Sequence, residues 1–250
     1  MIENIYTDYF KNGNESDIAT GDNFSLEDCK YSLANIITGN QNWSISEPNR
    51  YVKNISVVSK ILESGVDLFN TRSYVQINPK EIFYFLEQLI KKDLEGMLQI
   101  KIFYSTNPSP ASIVLYYKKE NSEQINQSVK DFFTKDNNLI TENPKHIPFT
   151  QQLLPGINFA DEPINEITAV EVNNLSYTTH MSIVLAETLK EACAFGIADP
   201  LEIQKIFAEK LFQSGYSREM NGQADMSYWE EIRMEVIEGL AKAKKLYAEN

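Results

Sequence analysis

Apolar residues recur along the chain with two spacings, and the switch between them marks out the elements. Over residues 1–72 the spacing is helical but loosely punctuated. Ile2, Ile5, Tyr6, Tyr9 and Phe10 make one short apolar face, and residues 12–17 read as loop. Ser25, with Asp28 three residues on, is a capping pattern for a helix running to Gly39. Residues 40–49 are polar and break structure, and Val57–Leu62 suggests a further helical turn or two.

The middle is clearer. Tyr74–Ile77 alternates as a strand does, and Asn78-Pro79-Lys80-Glu81 supplies a cap, a first-turn proline and a reciprocal glutamate. The helix that follows puts Ile82, Phe83, Leu86, Leu89 and Ile90 on one face and stops at Gly96. Leu98–Tyr104 and Ser112–Lys118 read as two more strands, joined by a turn-rich link over 105–110. Strand, helix, strand, strand predicts an α+β fold with a small central β-sheet covered by helices.

A polar helix is expected from Ser122 to Phe133. Residues 137–173 hold four prolines but also Phe149, Leu153, Leu154, Ile157 and Phe159, which suggests an ordered covering segment. The C-terminal part is mostly helical. Met181, Val184, Leu185, Leu189 and Ala192 form one face, and Ile203, Ile206, Phe207 and Leu211 a second, opened by Asp199-Pro200. Ser227 with Glu230 opens a last helix with the stripe Trp229, Ile232, Val236, Leu240 and Tyr247. No linker forces a cut, so residues 1–250 read as one domain, with 1–72 its loosely helical N-terminal part.

Composition narrows the function classes. At 42% hydrophobic and 11% aromatic, the 250 residues can bury a real core. Twenty-three basic against 35 acidic residues give a net charge of −12, which repels a phosphate backbone and argues against nucleic-acid partners. Met1-Ile2-Glu3-Asn4 lacks the start of a signal peptide, and no window approaches a membrane span, so no membrane partner is expected. Cys29 and Cys193 are expected to be reduced, buried thiols in a cytoplasmic protein.

The glycine-rich, zinc-protease and nucleophile-elbow signatures are all missing, so no cofactor is expected. His146 and His180 stand 34 residues apart, too far in sequence to suggest a metal site. His180, in the first turns of a helix, is suited to acid–base work or to plain surface exposure. Lys101 alternates with Gln99 and Phe103, opposite Ile100 and Ile102, so it points away from the apolar face of its strand. Asp161 and Glu162 read as loop carboxylates, and Tyr116 as sheet or groove lining.

Ile147-Pro148-Phe149-Thr150, followed by Leu154-Pro155-Gly156 and Phe159-Ala160-Asp161-Glu162-Pro163, resembles the hallmark run of the HopA-type effector family. That family includes lyases of class V lanthipeptide and thioamide peptide biosynthesis as well as bacterial effectors. Val184–Leu189 resembles its helix motif, and Ile113-Val114-Leu115-Tyr116 its strand, preceded by a strand carrying Lys101. The resemblance covers residues 74–230 and implies elimination of phosphate from phosphoserine or phosphothreonine. It implies Lys101 as base and His180 as acid, with Asp161, Glu162 and Tyr116 shaping the substrate site. Ser109 and Met181 stand where the family carries phosphate-gripping arginines, so Arg72 or Arg218 would have to replace them.

Two readings follow from the resemblance. One is a lyase acting on a precursor peptide in bacterial cytoplasm, with a kinase-like protein as second partner. The other is a homologue that binds peptide or kinase without chemistry, its acidic surface suited to a basic leader. A secreted effector is a third.

Overall fold

The computed structural model describes residues 25–48, 54–60, 71–104, 112–147, 149–161 and 177–219, and in part 222–239. The expected apolar face at Ile2–Phe10, Ser109, Glu162, and Trp229, Ile232, Leu240 and Tyr247 of the last stripe lie outside them. The chain divides into two compact units, residues 1–162 and 163–250.

The first unit is a seven-stranded sheet with every neighbouring pair antiparallel. Its strands are β1 (Trp43–Ile45), β2 (Asn54–Ser59), β3 (Thr71–Val75), β4 (Met97–Phe103), β5 (Ile113–Tyr117), β6 (Gln151–Leu154) and β7 (Ile157–Asp161). They lie in the order β1-β2-β4-β5-β3-β7-β6. This is the expected α+β class, with a larger sheet than the sequence pattern suggested.

Helices α1 (Leu26–Ile37), α2 (Ile82–Lys92) and α3 (Ser122–Lys135) share one core with one face of that sheet. The capping box at α1 forms as expected, since Ser25 Oγ accepts from the Asp28 amide while Asp28 accepts from the Ser25 amide. Helix α2 buries Ile82, Leu86, Leu89 and Ile90 as expected, but Phe85 rather than Phe83 completes the stripe, Phe83 being only partly buried. It ends at Asp93, in the left-handed region at φ 45°, three residues before Gly96. Helix α3 inserts Ile125, Val129 and Phe133, and Phe85 meets Phe132 and Phe133 edge to face at 5.8 Å.

The reading of residues 40–49 as structure-breaking is corrected by β1, and the helical reading that began at Val57 is corrected by β2. Ile55 and Val57 alternate toward the core, but Val58 fills the intervening phase and hides the period of two. The long irregular segment likewise contains the hairpin β6–β7. Pro155-Gly156 makes its turn in the order a type II turn requires, with Gly156 at φ +82°.

In the second unit, α4 (Tyr177–Ala194) and α5 (Pro200–Gln213) pack as a helical pair. Met181, Val184 and Ala192 of α4, and Phe207 and Leu211 of α5, are buried as their spacing predicts. Two expectations fail there. Cys193 is exposed rather than interior, and Val236 is exposed rather than part of an inward stripe. Cys29 is buried, which raises its thiol to about 11. No helix among the described residues is long and apolar enough to cross a membrane.

Candidate active site

Strand pleating gives the sheet two unlike faces. Ile55, Val57, Ile100, Ile102, Ile113, Leu115, Val75 and Ile157 face the helices. The residues between them make the other face, and the register aligns them in two rows. Ser56, Lys101, Val114, Tyr74 and Asn158 are successive cross-strand partners, and so are Val58, Gln99, Tyr116, Arg72 and Ala160. This face is polar yet withdrawn from water. Ser56, Arg72, Tyr74, Tyr116 and Asn158 are all buried, while Lys101 and Gln99 are half-buried.

Three residues singled out in the sequence converge there. Lys101 Nζ donates to the Tyr116 hydroxyl at 2.9 Å. The Arg72 guanidinium carbon stands 5.0 Å from the centre of the same ring, within cation–π range. Lys101 Nζ is 4.9 Å from that centre, and the hydrogen bond to the hydroxyl dominates its contact. One tyrosine thus holds an ammonium and a guanidinium side by side. Arg72 comes from the centre of the sheet and is only 4% exposed. Gln99 donates to Ser56 Oγ at 3.0 Å and extends the polar floor beside Lys101.

Sequence reasoning missed the far end of this face. Asn158 is fully buried, with its amide nitrogen 2.9 Å from His146 Nδ1. The signal was available as a polar residue between Ile157 and Phe159 in an alternating run. The segment carrying His146 is held by Gln76, whose side-chain amide pairs with both the N–H and the C=O of Lys145.

Of the other sequence-predicted residues, Asp161 belongs to the first unit and Arg218 and His180 to the second. Asp161 falls on the helix-side face, paired in register with Thr71, whose hydroxyl donates to it at 3.1 Å. Lys119 also bridges it at 2.8 Å. Arg218, in the second unit, makes a two-nitrogen pair with Glu209 and stacks 3.3 Å from the centre of the Phe212 ring. His180 is in the same unit, with its ring 5.5 Å from Tyr216, which also meets Tyr177 edge to face at 5.7 Å. Burial holds the His180 imidazole below its ordinary pKa, against a smaller upward pull from Glu187. Among the described residues no three histidine, cysteine or carboxylate side chains gather as a metal site.

A family model for the HopA1 effector protein family matches residues 52–219, about two thirds of the chain. The chain belongs to the HopA1 effector protein family. Two solved structures share the fold of this chain over most of both chains. The effector protein from Pseudomonas syringae pv. tomato strain DC3000 aligns at a TM-score of 0.60 and 13% identity, over 88% of this chain and 90% of that one. The effector protein from Pseudomonas syringae pv. syringae strain 61 aligns at 0.56 and 14%, over 90% of each. The type III effector/phosphothreonine lyase OspF from Shigella flexneri aligns at 0.37 and 10%, over 68% of this chain and 94% of that one, too weakly to bear on fold or chemistry. No curated protein matches the sequence.

The run at Leu154–Asp161, which resembles the family's hallmark, takes on a local meaning here. Its Pro155-Gly156 turn and the strand after it put Asn158 and Ala160 beside Tyr74 and Arg72. The motif frames the polar face, while Lys101 and Tyr116 come from strands upstream of it.

Proposed function

We propose that this chain is a lyase that eliminates phosphate from phosphoserine or phosphothreonine in a peptide and leaves a dehydroamino acid. The observation that carries the reading is the cluster of Lys101, Tyr116 and Arg72 on a sheltered polar sheet face. Such an elimination needs a base for the α-proton and a fixed positive charge for the departing dianion. Lys101 takes the proton in its neutral amine form and becomes the ammonium; the C–H electron pair becomes the new double bond. The Cβ–O bond breaks, and its pair leaves with phosphate toward Arg72, whose planar fork suits phosphate geometry. The acid role that resemblance gives His180 is a separate assignment, tested by His180→Gln.

The substrate in this reading is a precursor peptide phosphorylated by a kinase-like partner. A second reading, binding without reaction, is favoured by Met181, which is only 5% exposed where the family carries arginine. A buried thioether offers nothing to a phosphate.

The deciding experiment incubates the purified chain with a phosphothreonine peptide and follows loss of phosphoric acid by mass spectrometry. Elimination that disappears in Lys101→Ala supports the lyase. Binding without elimination supports the second reading. Elimination only from phosphorylated host proteins, and not from precursor peptides, would move the activity to an effector role.

A further inference from the structure

The buried side chain at the far end of the polar row has an unused group. Asn158 gives one end of its amide to His146, while its Oδ1 is buried with no hydrogen-bond partner. Folded proteins seldom leave such an atom unmatched, and each case asks for an explanation. Its surroundings are costly in a second way. Phe149, three residues past His146, sits at φ +60°, a region aromatic side chains avoid, and strain of this kind gathers at functional sites. Gln76 on one side, and Thr150 bonding the Ile147 carbonyl on the other, hold the segment in that shape.

His146 is exposed although Asn158 is not. With Nδ1 accepting from the Asn158 amide, a neutral imidazole must carry its hydrogen on Nε2. Asn158 is opposite Tyr74 and Arg72 is opposite Ala160, so Asn158 and Arg72 are diagonal neighbours, about 7–8 Å apart at the backbone. Lys101 is in the same row three strands away, about 14 Å along it, with Val114 and Tyr74 between.

We propose that His146, oriented by Asn158, is a second phosphate-contacting residue of this face, its Nε2–H donating to an oxygen of the substrate phosphate beside Arg72. The proposal rests on the phosphate-elimination reading. His146 transfers no proton in it: the α-proton goes to Lys101, and the imidazole only binds the departing charge. Asn158 is a positioning residue, fixing the tautomer that presents a donor.

The chain has two histidines, so its imidazole nitrogen resonances are assigned from His146→Gln and His180→Gln alone. The free protein should show His146 as the Nε2–H tautomer, and Asn158→Leu should mix the two tautomers. A phosphothreonine peptide should move the His146 resonances, and its unphosphorylated twin should not. His146→Ala should weaken phosphopeptide binding by about ten- to a hundredfold, the range of a hydrogen bond to a charged group, with partial recovery in His146→Gln. Unmoved His146 resonances at saturation, or wild-type affinity in His146→Ala, overturn the proposal. Elimination is followed separately. Lys101-dependent turnover with a silent His146 overturns this inference alone, while a responsive His146 without turnover overturns only the lyase. No phosphopeptide binding overturns both.

Discussion

Lys101 and Tyr116 are diagonal neighbours on adjacent antiparallel strands, and the ammonium of one donates at 2.9 Å to the phenol of the other. Arg72 lies against the same ring, so this tyrosine fixes both cations relative to each other. Tyr116→Phe keeps the ring and removes only the hydroxyl. It should lower the elimination rate by about ten- to a hundredfold, the range expected when a hydrogen bond to a charged group is lost. Peptide affinity and melting temperature should change little. Steady-state kinetics on a phosphothreonine peptide test this; an unchanged kcat would mean that the hydroxyl does not position the base.

His180 makes a prediction about pH. Burial lowers its pKa in the folded chain from the ordinary 6.5, so the unfolded chain binds the proton more readily. The stability due to the neutral buried ring is complete above pH 6.5 and is lost as pH falls through that value toward the folded pKa. Thermal melts between pH 7.5 and about pH 5 should show this loss in the wild type and a flatter profile in His180→Phe. Equal slopes in the two would remove the buried imidazole as the cause. The same shift leaves His180 neutral at pH 7, a hydrogen-bonding group more than a proton donor.

Where one element dominates its own surroundings, sequence was enough. The α1 capping box, the α2 stripe and the outward aim of Lys101 follow from local spacing, and each is present. What failed depends on partners distant in sequence. Asn54–Ser59 is a strand because Lys101 and its neighbours pair with it, a fact no window of six residues contains. Asp161 belongs to the run that resembles the family's hallmark, and strand parity puts it on the face opposite Lys101. Asn158 was passed over for the same reason in reverse, since only register with Tyr74 reveals its row.

Gly156 tests whether the hallmark turn supports the sheet face. It sits at φ +82°, and a β-carbon there would stand 3.1 Å from Pro144 and 3.4 Å from the Gln76 carbonyl. Gly39 has a similar φ of +81° with nothing within 4 Å. Gly39→Ala therefore carries backbone strain alone, and Gly156→Ala carries strain plus crowding. Gly156→Ala should cost the more of the two, more than about 1 kcal/mol, or a few degrees in melting temperature. Equal losses in chemical-denaturation midpoint would show that the Pro144 contact yields freely.

Asp161 separates a structural carboxylate from a catalytic one. Its partner Lys119 is half exposed, so that ion pair contributes at most about 1 kcal/mol. The hydrogen bond from Thr71 is buried, and removing its acceptor costs about 1–3 kcal/mol. Asp161→Asn retains an acceptor for Thr71 and should leave both stability and turnover close to wild type. Asp161→Leu should lower the melting temperature while the folded fraction keeps its kcat. Denaturation and single-turnover elimination on the same preparations check both. A large fall in kcat for Asp161→Asn at unchanged stability would place this carboxylate in the chemistry, and would mean that the reaction is not confined to the face bearing Lys101, Tyr116 and Arg72.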